Sequence, residues 1–116
     1  MPKGVKIEDL RVGDGALAGR RTTVTLRYEG FLRRGDWFQS TTCTFDMSGR
    51  DVIAGLRYGV EGMRVGGLRR LTISPHLGYG GAGVPGLIPP NAVLVFEVEL
   101  LDVRPSEGSQ NTTSAG

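Results

Sequence analysis

Between positions 94 and 100 every second residue is large and apolar, and this alternation constrains the fold more than any other feature of the chain. Successive side chains of a strand point to opposite faces of a sheet, so a period of two predicts a strand with one buried face. Strands of this kind are typical of antiparallel sheets, which pack one face on a core and leave the other to water. The predicted buried set is Leu94, Phe96, Val98 and Leu100, with Glu97 and Glu99 directed outward.

Shorter alternating stretches predict further strands. Val24, Leu26 and Tyr28 share one face of a strand over positions 23–28. Weaker alternation places Val5 and Ile7 together, then Cys43, Phe45 and Met47, and finally Leu71 and Ile73. A single segment, 51–60, carries apolar residues at helical spacing instead, which predicts one helix of about two turns packed on the sheet. The fold class is therefore α+β.

The segment 78–91 shows neither the alternation of a strand nor the apolar spacing of a helix. Much of it lies in the glycine-rich part of the chain, since ten of the nineteen glycines fall between Gly55 and Gly86. We expect a long shaped loop there, and such loops usually carry function. Residues 105–116 contain no large apolar side chain, which predicts a disordered tail after a single domain spanning 1–104.

Composition excludes several classes of protein. The net charge is only +2, and the arginines are scattered instead of forming the dense basic footprint of a nucleic-acid-binding protein. The longest apolar run, 92–96, is far too short to cross a membrane. The first ten residues mix lysines with acidic residues and do not look like a signal peptide, so a cytoplasmic location is expected.

Metal, cofactor and hydrolytic chemistry find no support either. One cysteine and one histidine, Cys43 and His76, cannot build a zinc site or a disulfide. The segment 78–83 has the letters of a dinucleotide-binding glycine motif, but Pro85 follows where a phosphate-binding helix would have to begin. His76 has no nucleophile motif near it. We expect no metal and no cofactor.

Several motifs taken together resemble the FKBP-type peptidyl-prolyl cis-trans isomerases, the macrolide-binding immunophilins. The most specific is an Ile-Pro-Pro loop at 88–90 that leads into a Leu-x-Phe-x-Val-Glu-Leu strand at 94–100, with Val-Ile-x-Gly at 52–55 upstream. The supporting motifs are Tyr-Glu-Gly at 28–30, Gly-Met-Arg-Val-Gly at 62–66 and Tyr-Gly at 79–80. The resemblance extends from about position 4 to 104 and matches the minimal single-domain form of the family.

The resemblance implies a twisted antiparallel sheet of five to six strands wrapped around one short helix, with a ligand pocket between the helix and the concave face. By similarity, four aromatic residues carry catalysis: Tyr28, Phe38, Tyr79 and Phe96. The implied substrate-binding set is Gln39, Phe45, Val52, Ile53, Leu56, Leu87 and Ile88, with Leu56 at the floor, where many members carry tryptophan. Trp37 receives no role.

The implied activity is rotation about X-Pro bonds of peptides and unfolded chains, which needs no nucleophile because no covalent bond breaks. Amide resonance sets a barrier of roughly 18–20 kcal/mol, and a dry aromatic pocket favours the twisted amide over the charge-separated planar one. By similarity, polar help comes from the Tyr79 hydroxyl and the Ile53 backbone amide, each donating to a substrate carbonyl.

Three positions depart from the family pattern. Gln39 stands where an aspartate usually accepts a hydrogen bond from macrolides of the tacrolimus or rapamycin type, and a neutral amide accepts more weakly. Cys43 replaces a frequent aromatic residue and is expected to be a small buried hydrophobe, while Val84 replaces a frequent histidine. We expect macrolide affinity to be reduced more than isomerase turnover.

Two other functions remain open from the sequence alone. The first is an FKBP-like binding module that holds proline-containing segments with little or no turnover, and the second, more remote, is a structural β-domain. The retained aromatic set and Tyr79 favour an enzyme that assists protein folding. We expect it to be a monomer.

Overall fold

The computed structural model describes residues 4–33, 35–49 and 52–106. Five strands and one α-helix form the domain, joined by a short 3₁₀ turn at Pro75–Leu77. In chain order the elements are β1 (Val5–Arg11), β2 (Thr22–Leu32), β3 (Trp37–Asp46), α1 (Ala54–Val60), β4 (Leu68–Ile73) and β5 (Leu94–Pro105). The predicted α+β class with five to six strands and one short helix is confirmed.

The sheet is antiparallel throughout, with the strand order β1-β4-β5-β2-β3. The last strand, β5, lies in the middle and pairs with β4 on one side and β2 on the other. Its alternation is observed as predicted, because all four apolar residues of the 94–100 set are at most 2% exposed. The same face of β2 buries Val24 and Leu26 and leaves Tyr28 partly exposed.

Helix α1 packs on β4 through two glycines. A Cβ added at Gly55 would lie 2.4 Å from Ile73, and one added at Gly59 would lie 2.4 Å from Leu71. These distances are shorter than any real carbon contact, so a larger residue at either position would force the helix away from the sheet. The helix is two turns long, as predicted, but it begins at Ala54, because the preceding residue keeps an extended backbone (φ −59°, ψ 148°).

Arg69 fastens the C-terminal end of α1 to the sheet. Its Nη1 donates hydrogen bonds to the carbonyls of Gly59 (2.8 Å) and Glu61 (3.0 Å), and its Nε donates to Asp9 on β1 (2.6 Å). The last carbonyls of a helix lack partners within the helix and carry partial negative charge, so a cation there stabilises the end. The position of the helix relative to the sheet is thereby set.

A bulge in β3 interrupts the alternation predicted for that strand. Gly30 pairs with Gln39, but the next residue of β2, Phe31, pairs with Trp37, so Phe38 is the extra residue. The extra residue reverses the parity of the strand. Phe38 is therefore buried (8% exposed) although it is out of phase with Phe45, and Trp37 remains 59% exposed.

The C-terminal boundary differs from the predicted one. Pro105 is the last residue of β5, and Ser106 is 4% exposed and donates its N–H to the carbonyl of Arg21 (3.0 Å). The folded domain therefore extends at least two residues beyond the predicted end at 104, because backbone pairing needs no large side chain. The remainder of the predicted tail, 107–116, lies outside the described residues.

Candidate active site

Three aromatic rings meet on the buried face of the sheet. Phe96, near the start of the middle strand β5, packs edge-to-face against Tyr28 (ring centroids 5.2 Å apart, interplanar angle 87°) and against Phe38 (5.8 Å, 78°). Edge-to-face pairs are favoured because the positive ring edge meets the negative ring face. The contacts join β5, β2 and the β3 bulge in one cluster, which we call the aromatic cluster (Tyr28, Phe38 and Phe96).

Gly30 provides the space that the aromatic cluster occupies. It lies directly opposite Phe96 on β5 and opposite Gln39 on β3. A Cβ at this position would come within 2.6 Å of Phe38 Cζ and 2.9 Å of Phe96 Cε1. The rings can therefore converge only because this residue has no side chain.

The phenol group of Tyr28 is partly removed from water. Burial raises the pKa of Tyr28 from 10.0 to about 12, and the neighbouring side chains of Cys43 and Tyr79 add to the shift because their ionised forms would repel a phenolate. Tyr79 lies in the loop before β5 and packs against the core. Among the described residues, none is hydrogen-bonded to either hydroxyl. Both hydroxyls are therefore free of competing described partners and can donate to a ligand.

The start of α1 and the loop before β5 contribute further apolar surface. Val52 and Ile53 are partly exposed and pack against the core, while Leu56 is 2% exposed and Ile88 is 4% exposed. The N–H of Ile53 makes no backbone hydrogen bond to any described residue, which leaves it free to donate to a ligand. Buried apolar side chains below free donors suit a ligand that is mostly apolar and carries carbonyl groups.

Two predicted site residues lie apart from the aromatic cluster. Leu87 is 45% exposed and lines an open cavity of about 490 Å³ with Leu32 and Pro89 on the loop surface. Phe45 is 3% exposed and pairs with Val24, further along the sheet. Their roles in substrate binding remain predictions.

Gln39 and Cys43 lie on β3 beside the aromatic cluster. Both are partly buried, and Cys43 is thus more open than the buried hydrophobe expected. Burial nevertheless raises the pKa of the Cys43 thiol, which keeps it protonated and poorly nucleophilic at neutral pH. The Gln39 amide makes no side-chain hydrogen bond to any described residue.

A feature that sequence reasoning missed is the tight closure of the loop that carries Tyr79 and Ile88. Val84 and Ile88 exchange two backbone hydrogen bonds of 2.8 Å, and the N–H of Gly83 donates to the carbonyl of Tyr79 (3.0 Å). Gly83 has φ +61°, and its Cα faces the Ile88 carbonyl so closely that a Cβ would lie 2.4 Å from that oxygen. Only the repeated glycines of the segment hinted at this approach.

Within the described part of the chain, no three His, Cys, Asp or Glu side chains are grouped so that they could hold a metal ion. None of the helices described there is long and apolar enough to span a membrane. The chemistry available at the aromatic cluster is therefore apolar contact plus hydrogen-bond donation from Tyr28, Tyr79 and the Ile53 amide.

The raised pKa of Tyr28 predicts a loss of stability at high pH. Unfolded tyrosine ionises near pH 10, whereas folded Tyr28 holds its proton to about pH 12, so the unfolded state is favoured increasingly between these values. The stabilisation is complete below pH 10 and is lost as the pH rises to about 12. We expect Tyr28→Phe to remove this part of the decline in chemical unfolding, whereas Tyr58→Phe, on the exposed side of α1, should keep it.

Comparison with known proteins gives concordant results. Residues 15–101 match the family described as "FKBP-type peptidyl-prolyl cis-trans isomerase". The chain is 46% identical over 106 residues to FK506-binding protein 4 of Emericella nidulans, a match that covers 88% of this chain but only 22% of that protein. It is 43% identical over 105 residues to the FK506-binding protein of Neisseria meningitidis serogroup B, covering 86% of this chain and 96% of that one.

Solved structures show the same similarity. The crystal structure of FkpA from Escherichia coli aligns with a TM-score of 0.77 at 39% identity, covering 90% of this chain and 54% of that one. A peptidyl-prolyl cis-trans isomerase from Pseudomonas syringae pv. tomato aligns with a TM-score of 0.76 at 32% identity, covering 88% of this chain and 82% of that one. The whole sheet and its helix therefore have close structural counterparts.

Proposed function

The chain belongs to the FKBP-type peptidyl-prolyl cis-trans isomerase family, and on that basis we propose that this domain itself accelerates rotation about X-Pro bonds in peptides and unfolded proteins. The observation that carries the proposal is the aromatic cluster, whose rings converge over Gly30 and whose Tyr28 hydroxyl has no hydrogen-bond partner among the described residues. A proline ring is apolar and compact, and it suits a site walled by aromatic edges.

The energetic demand on such a site is moderate. An X-Pro bond rotates in tens to hundreds of seconds without help. An acceleration of about 10⁴- to 10⁶-fold requires roughly 5–8 kcal/mol of preferential binding of the twisted amide. Twisting removes the resonance that gives the planar amide its strong polarity, so transfer from water to an apolar site costs the twisted form less.

Hydrogen bonds supply the remaining stabilisation. The Ile53 N–H stands just before α1, and Tyr79 lies in the loop that precedes β5. In our proposal the Ile53 N–H and the Tyr79 hydroxyl each donate a hydrogen bond to a different carbonyl oxygen of the bound peptide. The two hydrogen bonds hold the peptide in place while its X-Pro bond rotates. Rotation about the bond transfers no proton, so the proposed step needs no general acid or base.

An isomerisation assay with a short Xaa-Pro peptide tests the proposal directly. The parent protein should accelerate cis–trans interconversion and should also accelerate a proline-limited refolding reaction. Tyr79→Phe should lower kcat/KM about two- to tenfold, because it removes one hydrogen bond and leaves the ring in place. Tyr58→Phe, on α1, is the matched control and should keep the parental rate.

Two results would contradict isomerase activity at the aromatic cluster. If the peptide binds the parent protein but interconverts no faster than in water, the domain is a binding module for proline-containing segments. Tacrolimus in excess should suppress any acceleration that occurs in the aromatic cluster, and a rate that persists would place catalysis elsewhere.

Replacement of Gln39 by aspartate should increase macrolide affinity more than it changes turnover. A carboxylate accepts a hydrogen bond about twice as strongly as a neutral amide, and Gln39 has no competing side-chain partner among the described residues. We expect tacrolimus to bind Gln39→Asp about tenfold more tightly, while kcat/KM for a peptide changes less than about threefold. Titration calorimetry beside the peptide assay measures both, and unchanged affinity would contradict the prediction.

Assistance to slow folding steps, a monomeric state and a cytoplasmic location remain predictions from the sequence.

A further inference from the structure

A second cavity, separate from the aromatic cluster, lies where the end of β3 meets α1. It has a volume of about 340 Å³, within the range of small-ligand sites. Its lining residues are Arg20, Met47, Ser48, Arg57, Tyr58 and Glu61, none of which belongs to the aromatic cluster. Two cations and one anion line it, so the cavity has an excess of positive charge.

Arg57 is the unusual member of this lining. Its Nε is fully buried and has no hydrogen-bond partner, and its guanidinium forms no ion pair with any described acidic residue. Six other arginines in the described ranges do have a carboxylate partner: Arg11, Arg20, Arg27, Arg69, Arg70 and Arg104. A buried donor without a partner among the described residues calls for a water or an ion at that position.

The acidic groups nearby are committed elsewhere. Glu61 lies one helical turn after Arg57 and would be its natural partner, but it pairs with Arg20 (3.5 Å). Asp46 accepts hydrogen bonds from the N–H (2.9 Å) and the hydroxyl (2.7 Å) of Ser48. Neither carboxylate neutralises Arg57.

The donors that remain suit a tetrahedral anion. The Arg57 guanidinium lies over the Tyr58 ring, 5.7 Å from its centroid, which fixes its plane at the cavity wall. Arg20 is 86% exposed and is held by one long contact, so it can turn towards a ligand. Each guanidinium can donate two parallel hydrogen bonds, so two of them offer more donors than the two oxygens of a carboxylate can accept. A phosphate has enough oxygens to accept from both guanidiniums.

We propose that the cavity of Arg20, Arg57 and Tyr58 binds a phosphate group. The same chemistry is presented by inorganic phosphate and by a phosphorylated side chain of a bound peptide. At neutral pH phosphate carries between one and two negative charges, which is enough to neutralise the one positive charge that remains in the lining once Glu61 is counted against Arg20 and Arg57.

Nuclear magnetic resonance titration with inorganic phosphate, at constant ionic strength set by chloride, tests the proposal. The buried Nε–H of Arg57 is a direct reporter, and its resonance should shift saturably together with the amides of residues 57, 58 and 61. Arg57→Gln should weaken binding at least about tenfold, and Arg57→Lys should weaken it too because an ammonium lacks the fork. Arg33→Gln, at an exposed arginine outside the cavity, is the matched control and should bind as the parent does.

A short proline-free peptide with one phosphoserine distinguishes the two sources. Tighter binding of this peptide than of both inorganic phosphate and its unphosphorylated form identifies a phosphorylated side chain, whereas equal or weaker binding identifies the free ion. Shifts that rise linearly with phosphate, spread over the exposed arginines or survive Arg57→Gln in a folded variant would overturn the proposal. These experiments measure binding and not isomerase activity, so their outcome does not depend on the proposed function.

Discussion

Phe96→Ala is expected to lower the free energy of unfolding by about 3–5 kcal/mol and to reduce isomerisation far more than the loss of folded protein explains. Phe96 is 2% exposed at the centre of the sheet and supports the rings of both Tyr28 and Phe38. Its removal leaves a cavity and withdraws the edge-to-face contacts that orient the other two rings. Chemical denaturation measures the first effect, and the peptide assay, corrected for folded fraction, measures the second.

Leu100→Ala is the matched control for this experiment. Leu100 lies four residues further along β5, on the same face, is also buried (1% exposed), and pairs with Leu26 instead of a member of the aromatic cluster. Its truncation should cost about 2–5 kcal/mol without removing a cross-strand neighbour of the cluster, so activity per folded molecule should stay near the parental value. Equal losses of activity in the two variants would mean that the rings serve only to pack the core.

Gly83→Ala is expected to reduce kcat/KM on the order of 100-fold while leaving the sheet folded. The new Cβ would lie 2.4 Å from the Ile88 carbonyl oxygen and 2.8 Å from the Pro89 carbonyl carbon, both of them backbone atoms that cannot rotate away. The loop must open, which breaks the paired bonds between Val84 and Ile88 and displaces Tyr79. The peptide assay and an amide spectrum together measure the effect.

Two neighbouring glycines separate the possible causes of that loss. Gly86 also has a positive φ (+78°), but a Cβ there meets nothing within 4 Å, so Gly86→Ala adds only backbone strain of about 1 kcal/mol. Gly81→Ala meets a single atom at an ordinary 3.7 Å. Activity should fall strongly for Gly83→Ala alone. A comparable loss in Gly86→Ala would show that strain, and not the approach to Ile88, governs the loop.

The sheet was predictable because its signal is local. Burial of one face imposes a period of two on each strand, and 94–100 shows that period without interruption. The helix was predictable in length for the same reason. Its start was not, because Val52 and Ile53 fit the helical period yet lie before the first turn, where they contact the core from an extended backbone.

The site was less predictable because its geometry depends on pairs distant in sequence. The bulge that turns Phe38 inward arises from the pairing of β2 with β3, and the local sequence at 37–39 does not predict it. Resemblance supplied Tyr28, Phe38, Tyr79 and Phe96 as a set, and the structure links their strands and loop in one place. It could not indicate that Leu87 lies outward or that the buried Nε of Arg57 has no hydrogen-bond partner among the described residues, since both depend on neighbours outside the matched motifs.

The middle position of β5 determines the order in which this domain can form on the ribosome. Strands β1 and β4 make one half of the sheet, β2 and β3 make the other, and only β5 joins them. That strand emerges from the exit tunnel after the other four, so the two halves cannot be joined until synthesis of the domain is almost finished. Because the aromatic cluster takes Phe96 from β5 and its other two rings from β2 and β3, the candidate pocket can form only once this last strand is in place.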